Sequence, residues 1–246
     1  MISFFRKIRQ KLLSQDRITR YLTYAVGEIF LVVLGILIAL QINTWNDQRI
    51  NRIKERATLN DLHLEFQKNK QKLDSTITYH KAILEAIQEV MSLMNEPESS
   101  LTNQPVDSLI YLSIDYFDYN PSQSVISELI SSGKMNLISS DSLRILIFDW
   151  VSEIDEKTEG YDTMDEISQT QTLPYLTKKG SMKNIDYNGL GRVNGRSKFG
   201  FQNHRLFQDL EFENHMDNQF WAVSNYLLKL ERLKEIVEAT LERTKP

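Results

Sequence analysis

Four histidines, His63, His80, His204 and His215, are the side chains best suited by type to ligate a metal or move a proton near neutral pH. Their spacing supports neither role. No two stand three or four residues apart, and a chain with no cysteine has no thiolate to complete a zinc site, so no metal and no cofactor is expected. The missing cysteines also exclude disulfides and leave the redox compartment unread. Asp115 and Asp118 sit close together in the aromatic stretch DYFDYN (115–120), where two acids one turn apart read as a surface feature or a cap rather than an acid–base pair. Gly133-Lys134 in SSGKMNLISS has the dipeptide of a phosphate loop, but the upstream glycine and the following Ser/Thr are missing. NGLGRVNGRSKFG (188–200) has the wrong glycine spacing for a dinucleotide site and no apolar strand before it. No glycine–serine nucleophile elbow is present. The expectation is a protein that is not an enzyme.

Charge in unusual places is what remains. Residues 175–208 hold five of the nine glycines and seven basic side chains against one acid, Asp186. Lys178, Lys179, Lys183, Arg192, Arg196 and Lys198 are candidate contacts for an anionic polymer or an acidic patch on a partner. The competing reading is a basic, Gly-rich loop insert resting on the chain's own acidic body. Asn188-Gly189 and Asn194-Gly195 are turn signals that allow a small hairpin. No nucleic-acid partner is expected. The second oddity is Glu28, a carboxylate at the head of the unbroken apolar run Ile29–Leu40.

That run needs a helix to carry it. Residues 21–42 as one helix span about 33 Å at about 1.5 Å per residue, which matches a hydrocarbon core of about 30 Å. Tyr21, Tyr24 and Trp45 fit the two interfaces. The basic region before the run is too long for a cleaved signal, and Ala39-Leu40-Gln41 is a poor cleavage site, so 21–43 reads as an uncleaved transmembrane anchor. Arg6, Lys7, Arg9, Lys11, Arg17 and Arg20 precede it and Arg49, Arg52, Lys54 and Arg56 follow, a bias that puts the N-terminus in the cytoplasm. Residues 1–20 read as a basic amphipathic arm, with Phe4, Phe5, Ile8 and Leu12 on one helical face. Within the span, Glu28, Val32, Gly35, Ala39 and Ile42 share one stripe. Gly35 and Ala39 form a small-xxx-small pair that lets helix backbones approach in lipid. The stripe reads as a helix–helix contact within a homo-oligomer or with a membrane partner. A tolerated carboxylate near the interface, or an ion pathway, are the other readings.

Residues 36–96 contain neither glycine nor proline, so a helix is expected to leave the span as a stalk and end before Pro97. Leu59, Leu62, Phe66, Leu73, Ile77, His80, Leu84, Ile87, Met91 and Met94 follow at steps of three and four, with a gap at Asn69–Lys70. Short helices are expected over 108–116 and 122–132, the second ending at Gly133. A longer helix is capped by Ser140 or Asp141, with Leu143, Leu146, Ile147, Trp150 and Ile154 inward, and helix continues to Pro174. A last one runs over 206–244, with Leu210, Phe220, Val223, Leu227, Leu230, Leu233, Val237 and Leu241 inward. The fold class is all-α: a transmembrane helix and stalk, then an antiparallel helical bundle over 44–246 with the C-terminal helix packed on 55–95.

The segments YAVGEIFLVVLGILIALQINTWND (24–47), ELISSGKMNLISSDSLR (128–144) and LFQDLEFENHM (206–216) resemble an uncharacterised family of bacterial single-pass membrane proteins, common in the Bacteroidota and known only as a domain of unknown function. The resemblance spans nearly the whole chain. It implies an inner-membrane protein with a helical soluble domain, which the charge bias places in the periplasm, and it supplies no activity, cofactor or site residue. The expected function is an interaction or scaffold protein that associates through its transmembrane stripe and stalk. The alternative is an extracytoplasmic ligand-sensing or envelope-binding module that acts through a partner, since about 20 residues before the span leave no room for an output domain.

Overall fold

The computed structural model describes residues 6–7, 18–189 and 194–245, and every regular element among them is helical. Apart from Arg6, Lys7 and the helix start at residue 18, the basic arm lies outside the described residues, as does Arg192. The chain divides into two compact units, Met1–Arg56 and Ala57–Pro246, a boundary some way beyond the end of the apolar run.

Helix α1 runs Ile18–Ser92 without a break, and from residue 36 onward it contains neither glycine nor proline, as the sequence predicts. It ends at Asn95, whose left-handed φ of 59° turns the chain and whose N–H donates to the Phe207 carbonyl at 2.8 Å. Short helices α2 (Glu98–Leu101), α3 (Val106–Ile114) and α4 (Ser124–Ser131) follow. Gly133, at φ 66°, stops α4 in the left-handed conformation that a side chain resists. Ser140 Oγ then accepts from the Leu143 N–H at 3.3 Å and caps α5 (Asp141–Ile167).

Pro174 does not end this helical stretch. Ser168–Thr172 widens into a π turn, and α6 (Leu173–Lys179) begins with the proline in its first turn, where a missing N–H costs least. Helix α7 (Met182–Gly189) and a 3-10 turn (Asn203–Gln208) complete the stretch that sequence suggested to be a loop, and α8 (Leu210–Arg243) closes the chain. No strand, and so no hairpin, occurs among the described residues. The basic segment is helical over much of its length because Tyr175, Leu176, Ile185, Leu206 and Phe207 reach the core.

The bundle of the second unit is antiparallel. Lys81 donates to Glu231 at 2.7 Å, Lys234 stands 3.3 Å from Asp74, Lys70 stands 3.5 Å from Glu238, and His63 Nδ1 lies 3.0 Å from Thr244 Oγ1, so α8 descends as α1 rises. Helix α5 pairs with α8 in the same sense: Arg243 donates to Ser142 at 3.2 Å, and Lys229 meets Glu156. Leu62, Phe66, Leu73, Ile77 and Ile87 of α1 are buried, with Phe66 tilted 5.0 Å from Trp150 of α5. Asn69 fills the gap in the α1 stripe. It is buried, accepts from the Ser122 N–H and donates to the Ser122 carbonyl, both at 2.8 Å, and so fastens the extended link between α3 and α4 to α1. One inward assignment fails: Leu210 is exposed, because Phe212, stacked 6.0 Å from Tyr175, and Met216 set the phase of the first turns of α8.

Candidate functional site

Three places in the chain hold polar chemistry that packing alone does not demand. The first is the stripe in the first unit. Glu28, Val32, Gly35, Ala39 and Ile42 are all exposed, as is almost every described side chain from Leu22 to Arg56. This helix is long and apolar enough to cross a membrane, and none of its most apolar window is buried. A Cβ added at Gly35 would have no atom within 4 Å, so the surface there is open for another backbone to approach.

The second place is a cavity of about 350 Å³ in the bundle, walled on one side by the α2–α3 link (Leu101–Ser108) and on the other by α7 and the strap of residues 194–204. Buried asparagines hold the strap down. Asn184 donates to the Phe201 carbonyl at 2.9 Å and accepts from the Ser197 N–H at 2.8 Å. Asn203 accepts from the Ser181 N–H at 2.7 Å and donates to Asp107 Oδ1 at 2.7 Å, while Asn188 donates to Asp107 Oδ2 at 3.1 Å. His204, nearly buried, places Nε2 2.5 Å from Glu98. Gly189 is required here, since a Cβ would land on the Tyr111 ring.

Of the described basic residues singled out by sequence, only Arg196 lines this cavity; it donates to Asn188 Oδ1 at 3.4 Å and stacks 5.6 Å over Tyr187. Lys179 instead pairs with Asp209 at 3.3 Å and Glu211 at 3.8 Å, on the chain's own acidic helix start. Lys178, Lys183 and Lys198 are exposed. Among the described residues, Lys179 and Arg196 are thus committed to different neighbours.

The third place is a buried ion pair that sequence reasoning missed. The Lys157 side chain is 3% exposed, and its Nζ donates to Asp118 Oδ1 at 2.7 Å and to the Tyr119 carbonyl at 3.0 Å. The Tyr226 hydroxyl donates to the same Asp118 oxygen at 3.0 Å and accepts from the Tyr119 N–H at 2.8 Å. Burial holds both phenols, Tyr119 and Tyr226, far above their ordinary pKa, so they stay neutral donors. His80 packs 5.1 Å from Tyr226 and 5.4 Å from Phe117, with Nδ1 2.9 Å from the Thr76 carbonyl and Nε2 buried without a partner. Burial lowers its pKa and favours the neutral ring. Beside it the Tyr79 hydroxyl donates to Asp115, so the two aspartates anchor the α3–α4 link rather than lie free on the surface.

The signal was present in the periodicity. Lys157 falls on the inward stripe of α5, after Trp150 and Ile154, and Asn69 and His80 fall on that of α1. A charged or polar residue at an inward position must be paired, and its partner is the functional unit to look for. No group of three His, Asp or Glu side chains among the described residues is arranged to hold a metal.

No curated protein and no solved structure matches the chain. A protein family does. Its match takes in the apolar run, the Gly133 turn and α5, and it stops before the strap, a narrower extent than the sequence motifs suggested. Residues 28–182, more than half of the chain, match the family of unknown function DUF6090, and the chain belongs to that family.

Proposed function

We propose that this protein is a membrane-anchored helical scaffold. Residues 21–43 cross the bilayer once, with the N-terminus cytoplasmic and the bundle on the outer face of a bacterial inner membrane. The stripe Glu28, Val32, Gly35, Ala39 and Ile42 packs on a second copy of the chain or on a membrane-protein partner. The role is one of holding and presenting rather than of catalysis. One observation carries the reading: the most apolar window of the chain has no buried residue, so water is the wrong solvent for it and lipid or another helix the right one. The stripe supports association, because an ionisable residue in a span faces protein rather than lipid, and Glu28 shares its face with two small residues.

Because the chain lacks cysteine, the test is clean. Gly35→Cys and Ala39→Cys chains, oxidised in native membranes, should give a disulfide-linked dimer or a crosslinked adduct, while Phe30→Cys and Leu37→Cys on the opposite face give less. Monomer alone at every position overturns association. Extraction of the wild-type chain by alkaline carbonate overturns the anchor. A second reading, a ligand-sensing module, is favoured by the cavity between the α2–α3 link and the strap.

A further inference from the structure

We propose that this cavity binds a small zwitterion of the free amino-acid class. Among the described residues, its wall carries two charges that make no ion pair. From those residues Asp107 receives only neutral amide N–H groups, from Asn188 and Asn203, and each of its oxygens keeps a lone pair for a further donor. Among them Arg196 donates only to the Asn188 amide oxygen, at 3.4 Å, and rests on Tyr187, so the rest of its guanidinium fork is uncommitted there.

The Asn188 amide stands between them, its N–H toward the carboxylate and its oxygen toward the guanidinium. Two opposite charges are thus held apart by one amide group. An ammonium and a carboxylate joined through a single carbon bridge such a gap, the ammonium donating to Asp107 and the carboxylate accepting from Arg196.

The remaining surface fits the same class. Thr102, Gln104, Ser108 and Gln202 supply hydroxyl and amide groups for a polar side chain. A volume of about 350 Å³ lies at the small end of ordinary ligand pockets. The walls are pre-formed, since the buried Asn184 spends its side-chain bonds on the backbone of Phe201 and Ser197 and the buried Asn203 spends its own on the Ser181 backbone and Asp107. A simple anion would answer Arg196 and leave Asp107 facing it, and a neutral sugar would cover two charges without compensating either.

The inference does not depend on the membrane span. Its failure leaves the anchoring reading intact, and failed crosslinking leaves it intact in turn. The test is calorimetric titration of the full-length chain in lipid nanodiscs with each common free amino acid, the corresponding N-acetyl amides, sodium acetate and glucose. At least one amino acid should bind, and its N-acetyl amide, which lacks both charges, should not. Arg196→Gln alters an exposed side chain, should leave the melting temperature unchanged, and should weaken binding by about tenfold or more. Asp107→Asn should weaken it similarly wherever melting shows the strap still folded. Absence of binding by every amino acid overturns the proposal. Equal binding of the N-acetyl amide, of acetate or of glucose, or an unchanged affinity in Arg196→Gln, also overturns it.

Discussion

Helix α1 contains two regions built on opposite rules. Over residues 22–42 it is largely apolar with no buried face, whereas over residues 57–92 it is amphipathic, with Leu62, Phe66, Leu73 and Ile77 covered and charged side chains between them. Helical geometry is common to both, so geometry does not decide which side chains matter. The surrounding medium does: in water only the periodic half has a reason to fold against other helices, and in lipid only the uniform half has a reason to stay. Apolarity without periodicity marks a change of solvent rather than a core.

Mutations should separate the halves. Phe66→Ala removes a fully buried ring that packs on Trp150 and should cost the bundle about 3–5 kcal/mol, read by denaturant unfolding in detergent. Phe30→Ala, in the uniform half, should leave that unfolding curve in place. Equal effects would erase the comparison. Asp118→Asn leaves Lys157 charged and buried and should also cost about 3–5 kcal/mol. Lys157→Met should cost less, because Asp118 is 21% exposed and keeps its Tyr226 donor. Conversely, Leu34→Arg places a charge mid-span and should raise the insertion free energy by about 2.5–3.5 kcal/mol, seen as loss from the membrane fraction with the bundle still folded.

Smaller effects sharpen the picture. Gly133→Ala forces a side chain into the left-handed region and should cost about 1–2 kcal/mol, visible as a lower melting temperature. His80 tests the sign of a buried titration. Burial lowers its pKa in the folded state, against partial opposition from Asp115 and Asp118, so the unfolded chain takes up the proton first. Its contribution to stability is therefore complete above the ordinary histidine pKa of about 6.5 and is lost as pH falls below that. Melting temperature should drop between neutral and mildly acidic pH, and the drop should flatten in His80→Gln.

Much of the fold was legible because it rests on local rules. Periodicity located the long helices, Gly133 and Ser140 marked a stop and a start, and the lack of glycine and proline after residue 35 carried α1 on to Ser92. The strap was not legible. Its glycines and lysines read as solvated loop, while its folding depends on Asn184, Asn188 and Asn203 reaching Asp107 and backbone groups far away in sequence. An asparagine looks the same in a turn and in a buried clamp until its partner is known. The Lys157–Asp118 pair was hidden for the same reason, although the position of Lys157 on an inward stripe gave half of it.

The antiparallel pairing of the first and last helices sets a timetable for synthesis. Lys81 and Glu231 are 150 residues apart in the chain, so the ribosome needs between about 8 and 30 s to deliver one after the other at about 5–20 residues per second. Through that interval the newborn first helix can gather only the segments up to α7, such as the α3–α4 link and Trp150 of α5, and the face that α8 will cover stays bare. Chaperones that shield nascent polypeptides should therefore linger on this protein until α8 emerges.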